Sequence, residues 1–117
     1  MNIFLDYKKK FSDYLSLLKK KGIIHFPSDL SNLTVEVSPK EQSSDMSSNI
    51  AMVLSKYNNK TPIILADELK KYFKKDFSEF KDVKSAKPGF LNFKFKTEFW
   101  KNYIIEILKE DSNFGSN

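Results

Sequence analysis

A proline–glycine pair followed by an alternating segment constrains the fold of this chain more than any other feature. The pair is Pro88-Gly89, which is typical of a turn, and the residues after it alternate as in a β-strand. One face of that strand has the composition of a core face and carries Leu91, Phe93 and Phe95. The other face carries Phe90, Asn92, Lys94 and Lys96. The pattern predicts a hairpin strand with one buried and one polar face.

The polar face of this strand combines an aromatic ring, an amide and two ammonium groups. An unpaired RNA base can stack on a ring, be read by an amide, and have its phosphates held by ammonium groups. We therefore interpret Phe90, Asn92, Lys94 and Lys96 as candidate RNA-binding residues. The alternative is structural: Phe90 tucks under a helix, and the two lysines only solubilise the surface.

The composition of the chain fits a single folded domain. Its 117 residues suffice for one hydrophobic core. The formal net charge is +5, and all 20 basic residues are lysines. This charge fits a polyanionic partner, although a proteome that uses lysine in place of arginine gives the same composition. The absence of cysteine excludes disulfides, thiol catalysis and cysteine-ligated metals.

The sequence offers no sign of a membrane or export segment. No apolar run approaches the roughly 20 residues that span a bilayer. The acidic Asp6 follows a very short apolar start, unlike a signal peptide. We therefore expect a cytoplasmic protein that makes no contact with a membrane.

Residues suited to catalysis or metal binding are nearly absent. His25 is the only histidine, and the neighbouring Phe26-Pro27 favours a loop. Without a second histidine or a cysteine, the usual zinc and catalytic sets cannot be completed. None of the three glycines forms a phosphate-binding loop. We expect no catalytic residue, no metal and no cofactor in this chain, so a stand-alone enzyme is disfavoured.

The segment before the hairpin is predicted to contain three helices and one strand. Apolar residues at helical spacing predict a first helix over residues 2–21, and Leu33–Val37 alternates as a strand. One of three polar residues could cap a second helix that ends near residue 56: Ser43, Ser44 or Asp45. Thr61-Pro62 is typical of a cap followed by proline at the first helical position.

The remaining elements complete the predicted fold. The third helix ends near residue 75, and a weaker strand over residues 83–86 precedes the turn. Thr97 is predicted to cap a last, very apolar helix. These elements predict an α+β class: a two-layer domain in which a small, mostly antiparallel sheet packs against about four helices.

The order of these elements and several short motifs resemble the N-terminal additional domain of arginyl-tRNA synthetases. Lys87-Pro88-Gly89-Phe90-Leu91-Asn92-Phe93 is similar to the family pattern Gly-x-Gly-Phe-Ile-Asn-Phe. Thr97-Glu98-Phe99-Trp100 is similar to the polar-x-Phe-Trp start of the family's next helix. The family segment His-Gly-Asp-x-Ala-Thr-Asn-x-Ala-Met matches here at Asp45, Asn49, Ala51 and Met52. Ser43-Ser44 stands in place of its His-Gly pair.

The resemblance implies a recognition domain and no catalysis by this chain alone. In that family the domain packs beside a class I catalytic domain and touches the tRNA D-loop at the outer corner of the molecule. Residues matching Phe90 and Asn92 approach a base there. That Lys94 and Lys96 hold phosphate is an expectation from the face of the strand on which they lie. The family's nucleotide-binding motifs would lie downstream of this chain. ATP is therefore expected as a cofactor of the full-length arginine–tRNA ligase and not of this domain.

The resemblance also sets expectations for boundaries and partners. We expect residues 1–110 to form the domain and residues 111–117 to be a linker towards an absent catalytic domain. The expected partners of this monomer are tRNA(Arg), through its D-loop region, and its own catalytic domain in cis. The alternative is a stand-alone protein-interaction module, in which Phe90 and the apolar last helix dock another domain.

Overall fold

The computed structural model describes residues 2–28, 30–38 and 43–115. The helices in this part of the chain are α1 (Ile3–Lys20), α2 (Ile50–Leu54), α3 (Pro62–Asp76) and α4 (Thr97–Gly115). A 3-10 turn over Ser55–Tyr57 follows α2. The strands are β1 (Val35–Val37), β2 (Met46–Ser48), β3 (Phe80–Ala86) and β4 (Phe90–Phe95). The predicted α+β class, with a small antiparallel sheet and four helices, is confirmed.

The strand that contains the alternating motif lies inside the sheet. The strand order is β1-β2-β4-β3, and every pairing is antiparallel. The register aligns one residue from each strand in a row across the sheet: Glu36, Ser47, Asn92 and Lys84. Because aligned residues of neighbouring strands point to the same side, this row lies on one face.

The helices α1 and α3 cover one face of the sheet, which we call the inner face. The ring centroid of Phe93 lies 4.7 Å from that of Phe11 in α1 and 5.6 Å from that of Phe73 in α3. Leu91, Phe93 and Phe95 are all buried, which confirms the predicted core face of β4. The opposite side is the outer face, formed by Glu36, Ser47, Asp82, Lys84, Ala86, Phe90, Asn92 and Lys94.

The prediction of a helix capped by Ser43, Ser44 or Asp45 is wrong. The segment Met46–Ser48 forms β2, and α2 begins only at Ile50. Asp45 is instead bonded to β4: its amide donates to the carbonyl of Phe93 at 2.8 Å, and its Oδ2 accepts from the amide of Phe95 at 2.8 Å. These two bonds hold the chain beside β4, which favours strand pairing over a helical turn.

Two of the motif residues shared with the resembled family thus have structural roles. Besides Asp45, Asn49 joins the start of α2 to the loop before β1. Its Oδ1 accepts from the amide of Thr34 at 2.8 Å, and its Nδ2 donates to the carbonyl of Asn32 at 2.9 Å. An amide that satisfies two backbone groups in this way fixes the position of a loop.

Other boundaries differ by a few residues from those predicted. Helix α3 begins at Pro62 as expected, although the side chain of Thr61 makes no capping hydrogen bond. Strand β3 begins at Phe80, three residues earlier than predicted. Helix α4 includes Thr97 and continues through residues 111–115 of the expected linker. Residues 116–117 lie outside the described residues, and a following catalytic domain stays a prediction.

The Pro88-Gly89 turn packs tightly against the helix layer. Gly89 is buried, and a Cβ built on it would lie 3.0 Å from the carbonyl carbon of Pro62 and 3.1 Å from Cγ of Met52. It would also clash with Cβ of Pro62. Glycine is therefore required here by the close approach of the turn to α2 and α3.

Candidate nucleic-acid interface

Phe90 and Asn92 both lie on the outer face, but they differ in accessibility. Phe90, at the start of β4, is half-buried, whereas Asn92 is only 6% exposed. Asn92 has Ser47 of β2 on one side and Lys84 of β3 on the other. Its amide group therefore lies at the bottom of the outer face and is less accessible than the alternating pattern suggests.

A cavity of about 290 Å³ lies over this part of the sheet. Its lining residues are Glu36, Val37, Ser47, Ala86, Lys87, Phe90 and Asn92. All of them belong to strands or to the β3–β4 turn, so the ring of Phe90 faces the outer side of the sheet and not the helix layer. We call this space the Phe90 cavity. The lining residues combine an aromatic ring, aliphatic carbon, one hydroxyl, one amide, one carboxylate and one ammonium group.

A second cavity of about 400 Å³ adjoins the first at Asn92. Its lining residues are Ser43, Ser44, Lys81, Asp82, Lys84, Asn92 and Lys94. We call it the lysine cavity. It includes the two serines that replace the His-Gly pair of the family pattern. The structure thus brings three of the four predicted site residues to adjoining cavities: Phe90, Asn92 and Lys94.

Lys96 is separated from those three residues. It follows the end of β4, and it does not line either cavity. Its amide donates to the carbonyl of Glu79 at 2.9 Å, and its own carbonyl accepts from the amide of Phe99 at 3.1 Å. The backbone at Lys96 thus joins the sheet to α4, and its exposed side chain lies beyond the strand.

The sequence interpretation missed Lys81 and Lys84, which both lie on β3. That strand was predicted to begin only at residue 83, and its pairing with β4 has an irregularity between Phe80 and Asp82. A bulge of this kind breaks the simple alternation from which the faces of a strand are read. The pattern of apolar and charged residues in β3 could have extended the predicted strand back to Phe80. It could not have revealed the bulge.

The charges of the lysine cavity are mixed, with an excess of lysines. Oδ1 of Asp82 lies 3.8 Å from Nζ of Lys74, and its Oδ2 lies 3.6 Å from Nζ of Lys84. Among the described residues, no ion pair involves Lys81 or Lys94. Within the described part of the chain, these two ammonium groups are the cations of the cavity that no carboxylate engages.

The lone histidine has a role in the loop after α1. The amide of His25 donates to Oδ1 of Asn58 at 2.8 Å, and its carbonyl accepts from Nδ2 of Asn58 at 2.9 Å. Within residues 2–28, 30–38 and 43–115, no three acidic or histidine side chains form a metal-binding group. In the same part of the chain, no helix is both long and apolar enough to cross a membrane.

Comparisons with known proteins agree on one family. Residues 6–95 match the family model described as the arginyl tRNA synthetase N terminal domain. The arginine--tRNA ligase of Pelagibacter ubique (strain HTCC1062) is 38% identical over 117 residues, which are 100% of this chain and 20% of that protein. The ligase of Wolbachia pipientis subsp. Culex pipiens is 35% identical over 99% of this chain, and that of Bartonella quintana 33% over 98%. In each case the matched region is 20% of the relative's length.

Proposed function

Because this chain belongs to the family of arginyl-tRNA synthetase N-terminal domains, we propose that its outer face recognises the D-loop of tRNA(Arg). In this role it helps to position the tRNA for ATP-dependent arginylation by a class I catalytic domain. The chain spans 20% of the length of its relatives. Catalysis and ATP binding would then belong to the remainder of a longer polypeptide.

The observation that supports this role most strongly is the Phe90 cavity. It brings the half-buried ring of Phe90 and the amide of Asn92 to one space on the sheet surface. A flat base inserted there stacks on the ring, an interaction that contributes about 1–3 kcal/mol in single-stranded recognition. Because every base has a π-face, stacking alone gives affinity with little sequence preference.

Asn92 supplies the discrimination. Its amide carries both donors and an acceptor, which can pair with the edge of an unstacked base. The strand neighbours on both sides leave it only 6% exposed and restrict its approach to the space above the sheet. A polar group held rigidly at the bottom of a cavity discriminates better than a mobile one, because it accepts only base edges of matching geometry.

The lysines hold the phosphate backbone without reading its sequence. Lys94 lies beside Asn92 in the lysine cavity, close to the proposed base. Lys96 lies beyond the strand end and would contact a more distant phosphate. Interactions of this kind weaken as salt concentration rises, because binding releases the counterions of the RNA.

The catalytic domain in cis would pack against α4. The apolar residues of this helix recur at helical spacing and form one stripe: Trp100, Tyr103, Ile104, Ile107 and Leu108. Ile104 is 53% exposed and Leu108 is 58% exposed. The matched region is the N-terminal part of the longer relatives, and α4 is the last described element. The polypeptide that follows it is therefore the partner that we expect on this stripe.

Substitution of the base-contacting residues tests the proposal. Phe90→Ala and Asn92→Ala should each weaken binding of the 117-residue chain to tRNA(Arg) by about 5-fold to 150-fold, following the loss of about 1–3 kcal/mol. Both should leave binding to a D-loop-altered tRNA(Arg) nearly unchanged. Phe90→Leu separates stacking from apolar bulk and should behave like Phe90→Ala. Titrations monitored by fluorescence anisotropy measure all of these affinities.

Tyr57→Ala is the matched control, because Tyr57 is an exposed aromatic residue in the 3-10 turn of the helix layer. It should leave both affinities unchanged. Equal losses for the Phe90 variants on intact and altered tRNA would contradict the site assignment. Binding that is insensitive to salt, or a stable dimer in sedimentation, would instead favour the protein-interaction module.

A further inference from the structure

The outer face provides two adjoining cavities of different chemistry. The Phe90 cavity is lined by the aromatic Phe90, by Ala86, by the acidic Glu36 and by the basic Lys87, with Val37 at its edge. The lysine cavity contains three lysines and one aspartate. Asn92 lies at the border and lines both. The two spaces therefore suit different parts of one ligand.

Charge determines which part of a nucleotide enters which cavity. The Phe90 cavity is lined by one acidic residue, Glu36, and one basic residue, Lys87, so its formal charges balance. The carboxylate of Glu36 accepts hydrogen bonds from the N–H groups that nucleobases carry on their edges. The lysine cavity has three lysines against one aspartate, so the phosphate favours this cavity. Asp82 is engaged by Lys74 and Lys84, while Lys81 and Lys94 have no ion pair among the described residues.

The dimensions of the sheet fit this arrangement. Phe90 and Lys94 lie on the same strand, four residues apart. At about 3.4 Å per residue, they are roughly 14 Å apart along β4. This distance accommodates a base together with the sugar and phosphate attached to it. A ligand that follows β4 can therefore occupy both cavities at once.

We propose that the lysine cavity is a phosphate subsite for the nucleotide whose base occupies the Phe90 cavity. Lys81 and Lys94 are its principal cations, and the hydroxyl of Ser43 is an additional donor. The subsite takes a phosphodiester of an unpaired RNA segment. This inference rests on the proposed RNA-binding role of the outer face, and it adds Lys81 and Ser43 to the residues that carry that role.

A pair of doubly substituted chains tests the subsite. One carries Lys81→Ala with Lys94→Ala, and the other carries Lys9→Ala with Lys20→Ala on the exposed side of α1. Both lose the same formal charge, so any effect of net charge alone is equal in the two. Affinity for tRNA(Arg) is measured over a range of KCl concentrations. Circular dichroism melting verifies that both chains are folded.

The lysine-cavity variant should bind at least 10-fold more weakly than the wild type at low salt. Its slope of log affinity against log salt should also be reduced by about 1 to 2, because each lost phosphate contact removes about one unit or less. The α1 variant should change affinity by less than about 2-fold. Equal effects of the two variants would overturn the subsite, because the lysines would then act through net charge alone.

A modified RNA distinguishes this inference from the function on which it rests. The probe is tRNA(Arg) with a single uncharged methylphosphonate linkage, moved one position at a time through the D-loop. At one position the modification should weaken binding of the wild type but not of the Lys81→Ala, Lys94→Ala chain. Loss of binding in Phe90→Leu without such a position would preserve the base site and overturn the phosphate subsite. Failure of both experiments would overturn the D-loop proposal itself.

Discussion

At the scale of single residues, the sequence indicated where a residue lies more reliably than why that residue type is needed there. Pro88-Gly89 predicted a turn, and the structure confirms it. The need for glycine, however, arises from close packing against Pro62 and Met52, which are distant in sequence. Similarly, alternation predicted the direction of Asn92 but not its burial. Burial depends on two neighbouring strands, and the hairpin pattern indicated only one of them, β3.

Gly89→Ala should therefore destabilise the domain. The added Cβ has no space between Pro62 and Met52, and overpacking of this kind typically costs about 1–3 kcal/mol. Urea denaturation followed by circular dichroism measures the loss. Gly22→Asn is the matched control, because Gly22 has a φ of 76° with nothing near its Cβ position, and asparagine tolerates that conformation. A Gly89→Ala chain as stable as the wild type would contradict the packing described here.

At the scale of elements, helices and strands with a strong periodic pattern were predicted correctly, whereas those with a weak pattern were not. Helix α1 and strand β4 have clear 3.6-residue and two-residue periods, and both lie where these patterns place them. Strand β2 is only three residues long and contains two serines, so it has no local signal. Its conformation depends on the bonds of Asp45 to β4. The polar residue that suggested a helix cap is therefore a link between strands.

Two buried tyrosines of α1 join this helix to the rest of the domain. The hydroxyl of Tyr7 donates to Oε2 of Glu79 at 2.6 Å. The hydroxyl of Tyr14 shares its single O–H between a carboxylate oxygen of Asp76 and the carbonyl of Tyr72, which lies 3.1 Å away. Burial, followed by the hydrogen bond to a carboxylate, raises the pKa of each phenol well above its usual range. Both tyrosines therefore stay protonated in the folded chain when exposed phenols ionise.

The pH dependence of stability follows from these raised pKa values. A folded-state pKa above the unfolded value contributes stability that is complete below about pH 10 and declines as pH rises further. The free energy of unfolding should therefore fall between about pH 10 and 11.5. The decline should be shallower in a Tyr7→Phe, Tyr14→Phe chain, which retains the same lysines. Urea denaturation at several pH values measures it, and identical slopes in both chains would contradict this account.

At the scale of the whole molecule, one face of the domain and its last helix remain available to partners. The outer face carries the two cavities, whereas α4 presents an apolar stripe with Ile104 and Leu108 more than half exposed. The strong pattern of α4 was evident in the sequence, but its exposure was not. A stripe of this type predicts burial without identifying what covers it, and only the structure shows that this domain leaves it largely uncovered.

The double substitution Ile104→Ser, Leu108→Ser tests whether the apolar stripe of α4 is a docking surface for the polypeptide that follows. In the 117-residue chain the change should alter the free energy of unfolding by less than about 1 kcal/mol, because surface substitutions cost little. In a longer protein that includes the following polypeptide, it should cost about 2–5 kcal/mol, since two large aliphatic side chains would lose a buried environment. Asn102→Ser, on the opposite side of α4, is the control. Equal effects in both proteins would contradict docking in cis.

The central claim, that the outer face of the sheet binds tRNA, is tested most directly by NMR mapping of amide resonances. A titration of the ¹⁵N-labelled chain with tRNA(Arg) should shift or broaden the resonances of Glu36, Ser47, Lys84, Phe90 and Asn92. A D-loop-altered tRNA should leave those of Phe90 and Asn92 unchanged. Resonances on the exposed side of α1, such as those of Lys9 and Lys20, should not move. Shifts confined to the helices, with the outer face unchanged, would contradict the account.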